Sequence, residues 1–318
     1  MRVVTFNAQN LRLRQTADGP RLDGARDRDV NQPKDRDLDL RDRRLTAAVL
    51  ARIGADVVCL QEVFDQATLD HFHDAFLVPA GAAPYAHRVC LPGNDGHGLN
   101  VALMARVAPD AVVSHADARA EDLGLEDRED VLHGQPVFRR DCLEVRFGAL
   151  AVFVCHLKAP YPDRARAQAI RTLEAAAIRR IVEAACPDPS AALWLIAGDL
   201  NTPVRSGFEG DDALAPLLDG FAVDLMDRLP PGEDWTFRMP DSGETLRPDA
   251  LLASPSLARG FPRAVPVVER IGMEPRAGRA AGSAFAGVGR PRPHASDHAA
   301  VWIDLGDVGE LAIAQRRD

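Results

Sequence analysis

The chain carries a series of short, continuous apolar segments, most of them bounded by Gly, Asp or Pro. Segments of this kind, rich in β-branched residues and without polar alternation, are typical of strands that are buried on both faces of a sheet. They predict strands at residues 3–6, 56–60, 99–104, 142–147, 150–155, 193–197 and 299–303. The pattern therefore indicates a fold built on buried β-sheet.

Helical periodicity separates several of these predicted strands. Residues 42–53 and 163–185 each carry apolar side chains along one face, and in the second segment arginines lie on the opposite face. Strands and helices are mixed from end to end, without a linker-like change in composition. We therefore expect an α/β protein in which residues 1–318 form a single domain.

Two charged segments interrupt this pattern. Residues 15–44 hold eight Asp and eight Arg or Lys, which predicts a solvated charged insertion. Residues 259–294 hold seven Arg against two Glu, with many Gly and Pro, which predicts a long basic loop. Because this loop leads directly into a polar motif, it is expected either to form a basic lip over a site or to be merely solvated.

The net charge of −9 argues against a protein that holds nucleic acid through its overall charge, since that mode needs a basic surface. An enzyme that binds phosphate through a local site is not excluded. No apolar run approaches the roughly 18 residues that a membrane-spanning helix needs, and the first residues lack the apolar core of a secretory signal. With its odd number of widely spaced cysteines, the chain is expected to be cytoplasmic, without a membrane partner.

Polar side chains stand at the ends of the predicted strands. Each one alone has an ordinary explanation as a turn, a cap, an exposed carboxylate or a buried histidine. Together they favour one functional site at an edge of the sheet. The residues concerned are Asn7, Glu62, His156, Asp199, Asn201, Asp297 and His298.

Oxygen-bearing side chains dominate this set, which suits a hard cation such as Mg²⁺. Glu62, with Asn7 and a carboxylate from Asp199 or Asp297, would supply an open site of this kind, whereas the chain has no Cys/His cluster for zinc. A metal so placed polarises a phosphoryl oxygen. His298 is then the candidate acid or base, and it needs a carboxylate to orient it. Asp249, which lies beside another apolar run, is the expected partner.

The order of these motifs resembles the endonuclease/exonuclease/phosphatase superfamily over residues 3–303. The resemblance implies a four-layer α/β sandwich, in which two mixed β-sheets pack face to face with helices outside and the site lies at one edge. The motifs that carry it are Asn7, Gln61-Glu62, His156-Leu157-Lys158, Gly198-Asp199-Leu200-Asn201, Asp249 and Ser296-Asp297-His298.

The resemblance also implies a metal cofactor, Mg²⁺ with Mn²⁺ as the alternative. Glu62 would be the main ligand, Asn7 would lie beside the metal, and Asp297 would contribute to the metal site or orient His298. Arg140 would contact the phosphate, with Arg139 as its rival, and Asn100 would lie near the phosphate.

The remaining motifs would supply the chemistry. His156 would bind or protonate the phosphate, and Asp199 and Asn201 would position and activate the attacking water. His298, paired with Asp249, would act as general acid or base, although Asp199 is the alternative acceptor of the water proton. Relatives usually carry an aromatic residue or His after the Asp at position 249. Ala250 stands there, so a ring beside the site is expected to be missing.

The leading functional hypothesis is a divalent-metal-dependent phosphodiesterase, of nuclease type, that hydrolyses its substrate by in-line attack of water. An alternative is a phosphatase or phosphodiesterase for a small metabolite or lipid headgroup. A non-catalytic binding module is the third hypothesis, and the intact residue set argues against it. The sequence leaves the substrate, which includes nucleic acid among its candidates, and the oligomeric state open.

Overall fold

Two six-stranded sheets form the centre of the computed structural model, which describes residues 1–26, 35–202, 212–240, 242–274 and 284–315. Two short hairpins, β2–β3 and β12–β13, lie outside these sheets. The strands are β1 (Arg2–Leu11), β2 (Leu13–Thr16), β3 (Gly19–Leu22), β4 (Val57–Val63), β5 (His87–Cys90), β6 (Asn100–Ala105), β7 (Ala111–Val113), β8 (Cys142–Phe147), β9 (Leu150–His156), β10 (Leu193–Asp199), β11 (Val223–Asp224), β12 (Phe237–Arg238), β13 (Thr245–Leu246), β14 (Asp249–Ala253), β15 (Val267–Glu269) and β16 (Ala300–Asp304).

Both large sheets are mixed. The first has the spatial order β15-β16-β1-β4-β6-β5, and its strands β1 and β4 are parallel. The second has the order β11-β14-β10-β9-β8-β7, and its strands β9 and β10 are parallel. Each of the seven segments predicted as strands lies within or overlaps a strand of these two sheets.

Helices cover the outer faces of the sheets. Among the described residues the α-helices are α1 (Arg36–Ile53), α2 (Gln66–Phe72), α3 (Arg164–Ala185), α4 (Ala215–Leu218), α5 (Pro255–Gly260) and α6 (Val308–Gln315). Helix α1 begins earlier than the predicted residues 42–53, because Asp35 caps its first turn by accepting from two backbone N–H groups. Within the described part of the chain, no helix combines the length and apolarity needed to cross a membrane.

Three apolar cores separate these layers. One lies between the sheets and contains Val3 and Val152, while the other two lie between each sheet and its outer helices. Successive residues of a strand point to opposite faces, so Val3 joins the inter-sheet core and Val4 joins the core under α1. Both faces are therefore apolar, which explains the continuous apolar runs and confirms the predicted four-layer sandwich.

The strand register brings the polar strand ends together. Asn7 on β1 lies beside Gln61 on β4. On the second sheet, Asp199 at the end of β10 lies beside both His156 on β9 and Asp249 on β14. The parallel pairs thus place two polar ends of each sheet at a common edge.

The predicted solvated insertion at residues 15–44 is wrong for its helical part. Asp39, Asp42 and Arg43 on α1 are fully buried. Arg43 donates to the backbone oxygens of Ala8, Gln9, Asp23 and Gly24 at 2.6–2.8 Å. Burial lowers the pKa of Arg43 to about 10, although nearby aspartates oppose the shift. Buried charges are tolerated here because each has polar partners.

The segment at residues 259–294 is not one continuous loop, because it includes the end of α5 and all of β15. Two of its described arginines have partners elsewhere in the protein. Arg292 forms ion pairs with Asp39 and Asp42, and Arg270 stacks on the ring of Trp235. These two arginines therefore hold the segment to the rest of the protein. Residues 275–283 of this segment lie outside the described residues.

Replacing Arg43 with Met is expected to lower the free energy of unfolding by about 3–5 kcal/mol. Four backbone oxygens would lose their donor, and the buried carboxylates of Asp39 and Asp42 would lose a nearby positive charge. Urea unfolding measures the loss. The matched control is Arg44→Met, because Arg44 is exposed on the same helix. Equal free energies of unfolding for the two variants would show that the buried contacts of Arg43 do not stabilise the protein.

Candidate active site

The carboxylate of Asp199 lies at the centre of the site, where the edges of the two sheets meet. Its Oδ2 accepts from the Asn7 amide at 3.0 Å and lies 3.6 Å from His156 Nε2 and 3.8 Å from His298 Nε2. Its Oδ1 accepts from the backbone N–H of Asn201 at 3.0 Å. Burial raises the pKa of Asp199, while the nearby His298 opposes the shift. Four predicted residues thus converge on one buried carboxylate.

His298 lies between two carboxylates. Its Nδ1 is 2.8 Å from Asp249 Oδ2, and its Nε2 faces Asp199. Burial on its own would lower the pKa of His298, but the negative charges of Asp249, Asp199 and Asp297 outweigh it and hold the pKa well above its usual range. The ring is therefore fixed with Nδ1 on Asp249 and Nε2 directed towards the centre of the site.

Two residues of the β12 hairpin complete this arrangement. The hydroxyl of Thr236 donates to Asp249 Oδ2 at 2.5 Å, and the ring of Phe237 lies 4.9 Å from that of His298. Because Ala250 follows Asp249, the sequence predicts that no aromatic ring packs beside the site. That prediction is wrong, since the ring of Phe237 packs against His298. Sequence reasoning missed both residues, and the only signal is indirect: a buried carboxylate needs a second donor.

Backbone bulges aim the side chains of the first sheet. The register between strands shifts at Glu62 on β4 and again beyond Asn7 on β1. Glu62, Gln9 and Asn10 all have φ between 46° and 63°, a left-handed conformation that is rare for residues other than glycine. Such strain and such bulges are typical of functional sites. As a result, Glu62 Oε1 lies 3.3 Å from the Asn7 amide, and its Oε2 accepts from the N–H of Asn10 at 2.7 Å.

The end of β9 brings a further predicted residue, Arg140, together with His156 and Asn201. The backbone oxygen of Leu157 accepts from Arg140 at 3.0 Å and from the Asn201 amide at 3.0 Å. His156 precedes it, and burial together with the charge of Arg140 lowers the pKa of His156 well below its usual range. Arg140 is itself buried and lies 3.7 Å from Asp95.

Asn100 and Asp297 lie at the margins of this group. The Asn100 amide donates to the backbone oxygen of Phe64 at 2.7 Å and accepts from the N–H of Gly93 at 2.8 Å, so both its ends already bind backbone. Asp297 is anchored through its N–H, which donates to Gln9 Oε1 at 3.0 Å. The predicted phosphate contact of Asn100 therefore has less geometric support than that of Arg140.

Oxygen donors in the site fit a metal ion. Asp199, Asp249 and His298 each place one ligand atom within 4.8 Å of the others. Glu62 and Asp199 also both lie within hydrogen-bond distance of the single amide nitrogen of Asn7. Two carboxylates that share one neutral donor leave negative charge uncompensated, and a hard divalent cation would balance it.

The sequence profile of the Endonuclease/Exonuclease/phosphatase family matches residues 4–298. The chain belongs to this family. It is therefore a hydrolytic phosphoesterase, which agrees with a site made of buried acidic groups and histidines. No curated protein matches the sequence significantly.

Solved structures share the fold at low sequence identity. An AP endonuclease from Archaeoglobus fulgidus is 17% identical with a TM-score of 0.59, and the match covers 96% of this chain and 98% of that one. The 3′ phosphatase NExo from Neisseria, bound to a product DNA hairpin, is 18% identical with a TM-score of 0.58, and the match covers 96% and 100%. Truncated TDP2 from Caenorhabditis elegans is 15% identical with a TM-score of 0.53, and the match covers 95% of each chain.

Replacing Thr236 with Val keeps nearly the same side-chain shape but removes the hydroxyl that donates to the buried Asp249. The substitution should therefore lower the free energy of unfolding by about 1–3 kcal/mol. Urea unfolding again measures the change. Thr245→Val is the control, since Thr245 is exposed in the same hairpin. A Thr236→Val protein as stable as this control would show that the hydroxyl does not support Asp249.

Proposed function

We propose that this phosphoesterase is a Mg²⁺-dependent phosphodiesterase of nuclease type, in which water attacks the phosphorus in line with the leaving oxygen. One observation carries the proposal: Asn7, His156 and His298 converge on the Asp199 carboxylate, and the same Asn7 amide faces Glu62. A phosphoryl transfer of this kind needs positioning and charge stabilisation more than covalent chemistry.

Glu62 and Asn7 would hold the metal, with Asp297 contributing from the adjacent loop. When bound, Mg²⁺ supplies a positive charge that polarises a phosphoryl oxygen. The bulge at Glu62 supports this assignment, because it turns the carboxylate towards Asn7 and away from the regular ladder. Mn²⁺ has similar oxygen-ligand preferences and is expected to substitute.

Asp199 is the proposed acceptor of the water proton. Its Oδ1 is fixed by the N–H of Asn201, and its Oδ2 is fixed by the amide of Asn7. His298 is less suited to take that proton, because its Nδ1 is engaged by Asp249 and two carboxylates favour its protonated form. Its Nε2–H would instead donate to a phosphoryl oxygen and stabilise the charge that develops there.

His156 and Arg140 are the proposed phosphate-holding residues. His156 is neutral at its lowered pKa and can donate a hydrogen bond from the end of β9. Arg140 adds a fixed positive charge, and its Nε has no hydrogen-bond partner among the described residues. A phosphate oxygen would satisfy that buried donor.

Two broader assignments belong to the same proposal. The shared inter-sheet core and the family match over residues 4–298 support a single domain for residues 1–318. The five cysteines, which are all free and buried, support a cytoplasmic protein.

The wild-type protein should hydrolyse bis(p-nitrophenyl) phosphate with Mg²⁺ or Mn²⁺ and lose this activity in EDTA. His298→Ala should lower kcat by at least about 100-fold, since it removes a donor to the transition state. His87→Ala is the matched control, because His87 lies at the opposite end of the first sheet. Hydrolysis of p-nitrophenyl phosphate alone would indicate a phosphatase, and hydrolysis unaffected by EDTA would contradict the metal proposal.

Mn²⁺ binding, measured by isothermal titration calorimetry, separates the two groups that could hold the metal. Glu62→Gln should weaken binding by about 10–100-fold, whereas Asp249→Asn should change it by less than about threefold. The opposite ranking would place the ion among Asp199, Asp249 and His298 and would overturn the assignment to Glu62.

A further inference from the structure

A buried carboxylate draws two basic residues together beside the active site. Glu174 on α3 is fully buried, and its two oxygens accept from the backbone N–H groups of Arg139 at 3.1 Å and Lys158 at 2.7 Å. Residues 139 and 158 belong to different segments, one preceding β8 and the other following β9. Glu174 thus fixes the separation of these two residues through their backbone N–H groups.

The donors of this group are only partly used. The Arg139 side chain forms no hydrogen bond or ion pair with any described residue. Lys158 Nζ donates to the backbone oxygens of Ala159 and Tyr161, which leaves one of its three protons. The Nε of Arg140 is buried without a hydrogen-bond partner, and its nearest carboxylate, Asp95, is 3.7 Å away.

The side chains of Arg139, Arg140 and Lys158 are close enough for their positive charges to repel one another. Burial and the positive charges of Arg140, Arg139 and Arg171 lower the pKa of Lys158, and Glu174 only partly compensates. A group of cations that is held in place by backbone contacts, with donors left over, is arranged to receive an anion.

This cation group, Arg139, Arg140 and Lys158, adjoins the catalytic residues. Lys158 follows His156 by two positions, and the oxygen of the intervening Leu157 binds both Arg140 and Asn201. With Arg140 assigned to the scissile phosphate, the donors of Arg139 and Lys158 remain for a second anionic group next to it.

We propose that Arg139 and Lys158 form a second phosphate subsite, which binds a phosphate adjacent to the scissile one in an oligonucleotide substrate. This inference rests on the proposed phosphodiesterase function and specifies its substrate class. A chain with a net charge of −9 repels polyanions at long range, so its affinity for a nucleic acid must come from a local group of this kind. A substrate with one phosphate would leave the subsite unused.

The test compares substrates that differ by one phosphate. Dithymidine with a single internal phosphate is compared with the same molecule carrying a further 5′-phosphate or a further 3′-phosphate. The wild-type kcat/KM should rise by about tenfold for at least one phosphorylated form, as expected for one charge-assisted contact. The phosphorylated form whose kcat/KM rises shows on which side of the scissile bond the subsite lies.

Arg139→Gln and Lys158→Gln should each reduce that gain to less than about threefold, because they remove the charge and keep most of the side-chain length. Expressing the effect as a ratio of two substrates cancels any general loss of folded or active enzyme. Arg52→Gln is the control that should keep the full gain, since Arg52 lies in the last turn of α1 beside Glu269.

A gain retained in both variants would overturn the subsite, and so would a wild-type enzyme that hydrolyses bis(p-nitrophenyl) phosphate but gains nothing from the added phosphate. In both cases the proposed phosphodiesterase function stands. Failure to hydrolyse any diester would contradict that function and this inference with it. A steeper salt dependence for the phosphorylated dinucleotide than for the unphosphorylated one, reduced in both variants, would support the subsite independently.

Discussion

The burial of the Asp199 carboxylate is the constraint on which the rest of the site depends. A buried carboxylate without a close Arg or Lys is costly unless several donors surround it. In this protein the donors come from both sheets: Asn7 from β1 of the first, Asn201 from the loop after β10 of the second, and His298 from the loop before β16. The two sheets must therefore meet with their polar strand ends aligned.

This alignment is maintained by groups that never touch the site's centre. Arg43 binds the backbone of Ala8 and Gln9, and so holds the bulged end of β1 in its left-handed conformation. Glu174 performs a similar task on the second sheet, where it binds the segments on either side of the β8–β9 hairpin. In both cases a buried charged side chain on a helix forms hydrogen bonds with backbone groups and so fixes the segments to which those groups belong.

Much of the fold could be predicted from the sequence because its strands are buried on both faces and so appear as unbroken apolar runs. The catalytic candidates on those strands could be predicted for the same reason, since Asp199 and His156 directly follow such runs. Phe237 could not, because the two-residue strand β12 leaves no periodic signal, and neither could Thr236, which directly precedes that strand. The burial of Asp39 and Arg43 could not either, since a sequence shows how many charges a segment holds but not which charges pair.

In the proposed mechanism, a water molecule that is activated by Asp199 attacks phosphorus directly. The stereochemical course of the reaction tests it most directly: a diester made chiral at phosphorus by sulfur substitution is hydrolysed in isotopically labelled water. A single in-line displacement predicts inversion of configuration at phosphorus. Retention would contradict the claim, because two successive displacements would require a covalent intermediate on a side chain such as His156 or His298.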